Sequence, residues 1–100
     1  MKKRMLKSKP VCKVTFELPA EAAPAASAVN LVGEFNDWDT GGTPMKRRKD
    51  GSFSVTIDLD TDREYQYKYL IDSRTWENDW AADKYIPSPL GDGDNSVVVV

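Results

Sequence analysis

Apolar and polar residues alternate with a period of two along most of this chain, and a helical period is nowhere convincing. The cleanest run lies at 53–59, where phenylalanine, valine, isoleucine and leucine alternate with serine, threonine and aspartate. The same alternation recurs at 12–18, 29–35 and 65–71, and four valines end the sequence. Strands that bury one face and expose the other have this pattern, so the chain is predicted to be all-β.

Turn signals separate these segments at intervals of roughly 8 to 12 residues, a spacing that is typical of an antiparallel β-sandwich. A small β-barrel is the alternative. The alanine-rich segment 19–28 is predicted to be a connecting loop, with one helical turn at most, because Pro24 interrupts it. The residues that the alternation turns inward, and that we expect in the core, include Phe16, Leu31, Phe53, Val55, Ile57, Tyr67 and Tyr69.

The basic residues are distributed unevenly around a net charge of −2. Five of the fourteen lie within the first nine positions, so nine remain against sixteen acidic residues in the rest of the chain. This start has only Met5 and Leu6 to bury, which predicts a disordered arm at 1–10 and a folded domain at 11–100. A basic arm on an acidic body binds nucleic acid poorly, and the second basic cluster, at 46–49, resembles a solvated strand end.

The length and the apolar runs of the chain limit its class. One hundred residues with 40% apolar content make one small domain, and the predicted last strand coincides with the end of the sequence, as expected of a free-standing module. No run approaches the roughly 20 apolar residues of a membrane span, and the basic start lacks the apolar stretch of a signal peptide. We therefore expect a cytoplasmic protein. Its single cysteine, Cys12, is in phase with the apolar positions and is expected to fill the core.

Catalytic chemistry has little support in this sequence. It contains no histidine, which excludes Ser-His-Asp and Cys-His arrangements and histidine-bearing metal sites. Carboxylates are plentiful, but they fall at predicted turns and polar faces, where they are expected to stay solvated. The glycine- and aspartate-rich stretch 91–95 lacks the oxygen spacing and the closing glutamate of a calcium loop. We therefore expect no enzyme, no metal and no cofactor.

Three tryptophans lie outside the alternating segments, which raises the question of what they contact. Trp38 follows the turn EFND, Trp76 and Trp80 flank the tripeptide END, and Lys68 is out of phase with its inward neighbours. An indole offers a flat apolar platform to a sugar ring, while amide, acid and ammonium groups bind its hydroxyls. Alternatively, the tryptophans cap the ends of a small core, and for Trp80, beside Ala81, this alternative is at least as strong.

The order of motifs adds a resemblance to a known family. The segments VNLVGEFNDWD, PMKRRKDGSFSVTIDL, YQYKYLID, WENDW and SPLGDGDNSVVVV follow one another as in the early-set, immunoglobulin-like domain at the N-terminus of isoamylases and glycogen branching enzymes. The glycogen-binding domain of the AMP-activated protein kinase β-subunit is similar, and together they form carbohydrate-binding module family 48. The chain resembles in particular short bacterial proteins that consist of an early-set domain.

The resemblance implies an immunoglobulin-like sandwich and a set of glucan-binding residues. In the kinase-subunit member, residues that correspond to Trp38, Lys68, Trp76 and Leu90 contact an α-glucan, and a last loop of the form L-G-T-x-N adds a threonine and an asparagine. The loop of this chain reads LGDGDN. Asp92 replaces the threonine, and either Asp94 or Asn95 takes the place of the asparagine, so the last loop carries acids that cost more to desolvate.

The leading functional hypothesis is therefore a non-catalytic module that binds α-glucans such as glycogen, starch or maltooligosaccharides. The second hypothesis is a protein-interaction domain that docks on a separate glucan-active enzyme or kinase, with the same aromatic residues covered by protein. Binding of nucleic acid through the basic arm and the cluster at 46–49 is the weakest alternative. No membrane association is expected.

Overall fold

Two antiparallel sheets form the fold. The computed structural model describes residues 1–91 and 93–100, and these contain no α-helix and nine strands. The strands are β1 Lys2–Met5, β2 Val11–Leu18, β3 Val29–Gly33, β4 Lys46–Arg47, β5 Phe53–Asp60, β6 Glu64–Ile71, β7 Thr75–Glu77, β8 Lys84–Pro87 and β9 Asp94–Val99. Strands β1-β2-β5-β4 form one sheet and β3-β6-β9-β8 the other, with β7 paired to β6. The predicted all-β sandwich is confirmed, consistent with an immunoglobulin-like arrangement.

The core lies between the two sheets and is built from the inward faces of β2, β3, β5 and β6. The ring of Phe16 on β2 meets the ring of Tyr67 on β6 edge to face, with centroids 5.0 Å apart. Of the predicted core residues, Val55 and Ile57 are half-buried and pack against the core, and the other five are buried. Cys12 is buried as expected. The alternation in the sequence therefore assigned the faces of these strands correctly.

A buried carboxylate joins the segment after β7 to the core. Tyr67 and Tyr69 donate hydrogen bonds to Oδ2 of Asp79 at 2.6 and 3.1 Å, and the backbone N–H of Ala81 donates to Oδ1 at 2.9 Å. Asp79 is only 2% exposed. The expectation that the acids stay solvated is therefore wrong at this position, because a turn residue folds back over the sheet and meets two tyrosine hydroxyls.

The basic start of the chain is an ordered strand, which corrects the prediction of a disordered arm at 1–10. Residues Lys2–Met5 pair with β2 in antiparallel register, and Lys3 forms an ion pair at 2.5 Å with Asp83, which lies directly before β8 of the other sheet. Met1 packs against the core. The composition does not indicate this pairing, because β1 exposes all four of its side chains. The strand is ordered by backbone pairing with the edge of β2 rather than by burial of its apolar side chains.

The short helices of the described residues are single turns, Ala20–Ala22 and Glu34–Asn36. The first confirms the helical turn within the alanine-rich loop. Within residues 1–91 and 93–100, no helix combines the length and the apolar character that crossing a membrane requires. The cytoplasmic location stays a prediction.

Candidate functional site

An open cleft of about 510 Å³ lies on the outer face of the sheet that contains β6. It brings together residues that are far apart in sequence, from the turn after β3, from β6 and β7, and from the loop before β9. Its lining consists of Glu34, Trp38, Gln66, Lys68, Trp76, Ser88, Pro89, Leu90 and Asn95. Five of the seven sequence-predicted site residues are in this set.

Trp38 reaches the cleft from a strained turn. Asp37 and Trp38 both have a left-handed backbone, with φ of 56° and 58°, and such residues cost about 1 kcal/mol or more each. The turn is held by the N–H of Trp38, which donates to the carbonyl of Gly33 at 2.8 Å. The left-handed backbone reverses the direction of the chain directly after β3. The indole of Trp38 therefore lies beside the sheet.

The side chain of Asn36 fixes this turn from within. Its amide nitrogen donates to the carbonyl of Leu31 at 2.9 Å and to Oγ1 of Thr43 at 3.0 Å, and its amide oxygen accepts from the N–H of Gly33 at 3.1 Å. All of these bonds are local. Asn36 therefore positions Trp38, and both N–H groups of its amide are used within the turn.

Gly33 allows β3 to approach β6 closely at the edge of the cleft. A Cβ atom at this position would lie 2.6 Å from the carbonyl oxygen of Gln66 and 2.7 Å from Cβ of Tyr67. Beyond Gly33 the sheet pairing ends, and the carboxylate of Glu34 accepts the next N–H, that of Gln66, at 2.6 Å. Position 33 thus has no room for a side chain. The carboxylate of Glu34 takes the place of a backbone carbonyl as the next acceptor along β6.

Lys68 and Trp76 lie on the same outer surface, as the sequence predicts. Tyr67 and Tyr69 point into the core, so the alternation of β6 turns Lys68 outward. The hairpin after β6 returns the chain as β7, where Trp76 pairs with Leu70, two residues from Lys68 on the same face. Trp76 is 46% exposed, which leaves a face of its indole available to a ligand.

Asn95 completes the polar floor of the cleft, and Asp94 does not reach it. The amide of Asn95 donates to Oε1 of Gln66 at 3.1 Å. Successive side chains of β9 point to opposite faces, so Asp94 is directed away from the cleft, and its carbonyl accepts a hydrogen bond from Asn78 at 2.9 Å. Of the two registers left open by the sequence, Asn95 lines the cleft and Asp94 does not, and the role of either residue in binding stays a prediction.

The last loop supplies an exposed apolar residue. Leu90 is 85% exposed at the mouth of the cleft, and its backbone N–H donates to Oγ of Ser88 at 3.3 Å. A leucine this exposed gains nothing from the fold of its own chain, since apolar burial is what normally stabilises such a side chain. Asp92, the remaining predicted site residue, lies outside the described residues.

Sequence reasoning missed four residues of the lining. Gln66 was recoverable, since it lies two positions before Lys68 in the same strand and therefore on the same face. Ser88 and Pro89 flank Leu90 in the same loop. No pattern in the sequence indicates Glu34 as a site residue, because its place in the cleft depends on where the pairing of β3 with β6 ends.

The cleft combines apolar platforms with hydrogen-bonding groups. Two indoles and a leucine present flat or convex apolar surface, while Lys68, Gln66 and Asn95 supply donors and acceptors along the floor. Glu34 adds a carboxylate opposite in charge to the lysine. Such a surface fits a ligand that has apolar faces and a rim of hydroxyl groups, which is the chemistry of a sugar ring.

Comparison with known proteins agrees with this chemistry. Residues 13–86 match the model of the family described as carbohydrate-binding module 48, the isoamylase N-terminal domain. The match covers more than half of the chain and includes Trp38, Lys68 and Trp76. The chain belongs to this family, whose members are binding modules rather than catalytic domains, as the resemblance of its motifs implied.

Several similar proteins are much longer enzymes. The chain is 45% identical to a 1,4-alpha-glucan branching enzyme of Aquifex aeolicus over 58 residues, which is 57% of this chain and 9% of that enzyme. It is 35% identical to a branching enzyme of Butyrivibrio fibrisolvens over 63 residues, or 63% of this chain and 10% of that enzyme. The chain thus spans a tenth or less of the length of these relatives.

Proposed function

We propose that this chain is a non-catalytic module that binds α-glucans through the cleft formed by Trp38, Lys68, Trp76, Leu90 and Asn95. Glucose units of the chain stack on the indoles, and their hydroxyls bond to the ammonium of Lys68 and the amides of the floor. The names of the similar branching enzymes favour an α-linked glucan over other sugars. Asp92 belongs to the proposed site on its sequence position alone.

The convergence of Trp38 and Trp76 in one cleft carries this proposal. Trp38 lies in the turn after β3 and Trp76 in β7, 38 residues apart in sequence and on different sides of β6. Aromatic side chains that only cap a core gain stability by burial, whereas these two keep exposed faces beside donors and acceptors. A shared outward surface of this kind is what ligand binding requires.

Docking on a separate glucan-active enzyme is the second candidate. The observation in its favour is the exposure of Leu90, since an exposed leucine is equally suited to a pocket on a partner protein. Nucleic-acid binding has less support. The two basic clusters form β1 and β4, the opposite edges of one sheet, so they make no continuous basic surface.

Cosedimentation with insoluble glucan at low and high salt tests these candidates. A module that stacks sugars is expected in the pellet at both salt concentrations, because stacking on neutral rings is insensitive to screening. A docking domain is expected in the supernatant at both. A nucleic-acid-binding protein is expected to bind a duplex with an affinity that falls steeply with salt.

The absence of catalysis is tested separately. Carboxylates that hydrolyse a glycosidic bond lie about 5 to 10 Å apart across a substrate. Glu34 is the only carboxylate lining the described part of the cleft. Purified protein is therefore expected to release no reducing sugar from glycogen or maltoheptaose, and release that survives removal of contaminating amylase contradicts the proposal.

A further inference from the structure

Trp80 is the most exposed tryptophan, at 57%, and the α-glucan cleft does not include it. It borders a second open cleft of about 440 Å³, whose described lining shares no residue with the first. The second cleft is lined by Met1, Glu17, Pro19, Ala20, Glu21, Arg48, Asp50, Ser52, Asp79, Trp80 and Ala81. An indole of this exposure is not a cap on the core, which leaves its role open.

The backbone on both sides of Trp80 is fixed to the core. The N–H of Asp79 donates to Oγ of Ser96 at 2.9 Å, and its carbonyl accepts from the hydroxyl of Tyr85 at 2.5 Å. On the other side, the N–H of Ala81 bonds to the buried carboxylate of Asp79. A platform that is held in this way loses little conformational entropy when a ligand binds.

Several of the charged groups around Trp80 are bonded within the chain. Arg48 forms an ion pair with Glu17 at 3.0 Å. Asp50 accepts two hydrogen bonds from Ser52, at 2.9 and 2.6 Å, through the single oxygen Oδ1. With Glu21 and Asp79, carboxylates outnumber the one guanidinium in this lining, which disfavours an anionic ligand, while the remaining oxygen and nitrogen atoms still bond to hydroxyl groups. The cleft therefore suits a neutral, hydroxyl-rich ligand.

The apolar part of this cleft is small outside the indole. Besides Trp80 and Met1, it consists of Pro19, Ala20 and Ala81. A protein interface is normally anchored by several large side chains in a desolvated centre. One flat aromatic surface within a polar rim is instead the arrangement that stacks a single sugar ring.

We propose that the cleft around Trp80 is a second α-glucan site, separate from the cleft of Trp38 and Trp76. This inference rests on the proposed function. A branched polymer offers many chain segments, so it occupies both sites of one module at once, whereas a short oligosaccharide fills either site independently. Once glycogen is bound at the first site, its other chain segments have a high local concentration near Trp80. Trp80 therefore raises the affinity for glycogen without contributing to the first site.

Indole N–H signals in nuclear magnetic resonance spectra separate the two sites. The chain has three tryptophans, and the variants Trp38→Ala, Trp76→Ala and Trp80→Ala assign the three signals. In the double variant Trp38→Ala/Trp76→Ala, only the signal of Trp80 remains. Maltoheptaose is expected to shift this signal in a saturable manner, and the β-linked cellohexaose is expected to leave it in place.

Affinity for glycogen gives a second, independent measurement. Trp80→Ala in the otherwise intact chain is expected to weaken glycogen binding about tenfold and to leave maltotriose binding at the first cleft unchanged. Met5→Ala is the matched control, since Met5 is 59% exposed and lines neither cleft. This control is expected to bind both ligands as the parent does.

The outcomes distinguish this inference from the proposed function. If maltoheptaose shifts the signals of Trp38 and Trp76 but never that of Trp80, and Trp80→Ala binds glycogen normally, the second site is refuted and the first stands. That result is also the one expected if a protein covers Trp80. If no indole signal shifts in the intact chain, the α-glucan function itself is wrong.

Discussion

The hydroxyl of Tyr67 donates a hydrogen bond of 2.6 Å to the carboxylate of Asp79, and both residues are buried. Tyr67 lies in the middle of β6, whereas Asp79 lies in the turn region that follows β7. This bond, with the 3.1 Å bond from Tyr69, fixes to the core the segment directly before Trp80, three residues after Trp76. The buried carboxylate thus anchors the chain between the two proposed binding surfaces.

Asp79→Ala is expected to destabilise the domain by about 3 to 5 kcal/mol, because it leaves two buried tyrosine hydroxyls without this acceptor. Such a loss is a large part of the stability of a small domain. Urea unfolding followed by tryptophan fluorescence measures it. The control is Asp60→Ala, at an exposed position, which should cost no more than about 0.5 kcal/mol. Equal stability of the two variants would show that the tyrosines find other partners.

The same network predicts the response to alkali. Burial, and then the charge and hydrogen bond of Asp79, raise the pKa of Tyr67 and of Tyr69 far above the ordinary value. In the unfolded chain both phenols titrate near pH 10, so above about pH 10 the unfolded state releases protons that the folded state keeps. Stability is therefore intact below this pH and falls above it, by about 1.4 kcal/mol per pH unit for each tyrosine.

Tyr67→Phe isolates this effect from the titration of lysines. The variant lacks one of the two phenols. Above about pH 10 its free energy of unfolding should therefore fall less steeply than that of the parent, by about 1.4 kcal/mol per pH unit. Urea unfolding over a series of alkaline pH values gives both slopes. Identical slopes would mean that Tyr67 ionises in the folded protein.

Trp76→Ala is expected to weaken maltoheptaose binding by about 2 kcal/mol or more, roughly thirtyfold, as the loss of an interface anchor does. Lys68→Ala should cost less, about 1 to 2 kcal/mol, because water partly replaces the ammonium. Calorimetric titration measures the affinities. Trp76 is half-exposed, so its removal opens no cavity and the melting temperature should stay close to that of the parent. Unfolding of Trp76→Ala with unchanged affinity of the folded fraction would identify this tryptophan as a core cap.

Asn95 and Asp94 are adjacent residues with different expected effects on binding. Asn95→Ala removes a cleft amide and its bond to Gln66, and should weaken maltoheptaose binding about tenfold. Asp94→Ala should leave the affinity unchanged, because this side chain is absent from the lining. The reverse result would show that the last loop uses the other register when glucan is bound.

Removal of residues 1–9 tests the first strand. Because Met1 packs on the core and Lys3 bridges the two sheets, we expect a loss of about 1 to 2 kcal/mol, or roughly 5 to 10 °C in melting temperature. Lys3→Ala alone should cost less than about 1 kcal/mol, since the ion pair is partly exposed. A truncated chain that melts like the parent would show that β1 contributes nothing in solution.

The sequence by itself determined the sandwich and the direction of its side chains. A period of two is a local property, so the alternation around Phe53, Tyr67 and Tyr69 fixes which face is buried without knowledge of the neighbouring strands. The outward position of Lys68 follows from the same local rule. Trp38, Trp76 and Leu90 were also predicted as site residues from their motifs, because these motifs occur in the same order as in the family.

Only the tertiary structure decided which side chains meet. The burial of Asp79 depends on a turn folding over two tyrosines, and the place of Glu34 depends on where β3 stops pairing with β6. The ordering of β1 depends on a free edge of β2, and the position of Asn95 in the cleft lining depends on the register of β9. Each of these is a contact between segments distant in sequence, and a local pattern of apolar and polar residues carries no information about which segments become neighbours.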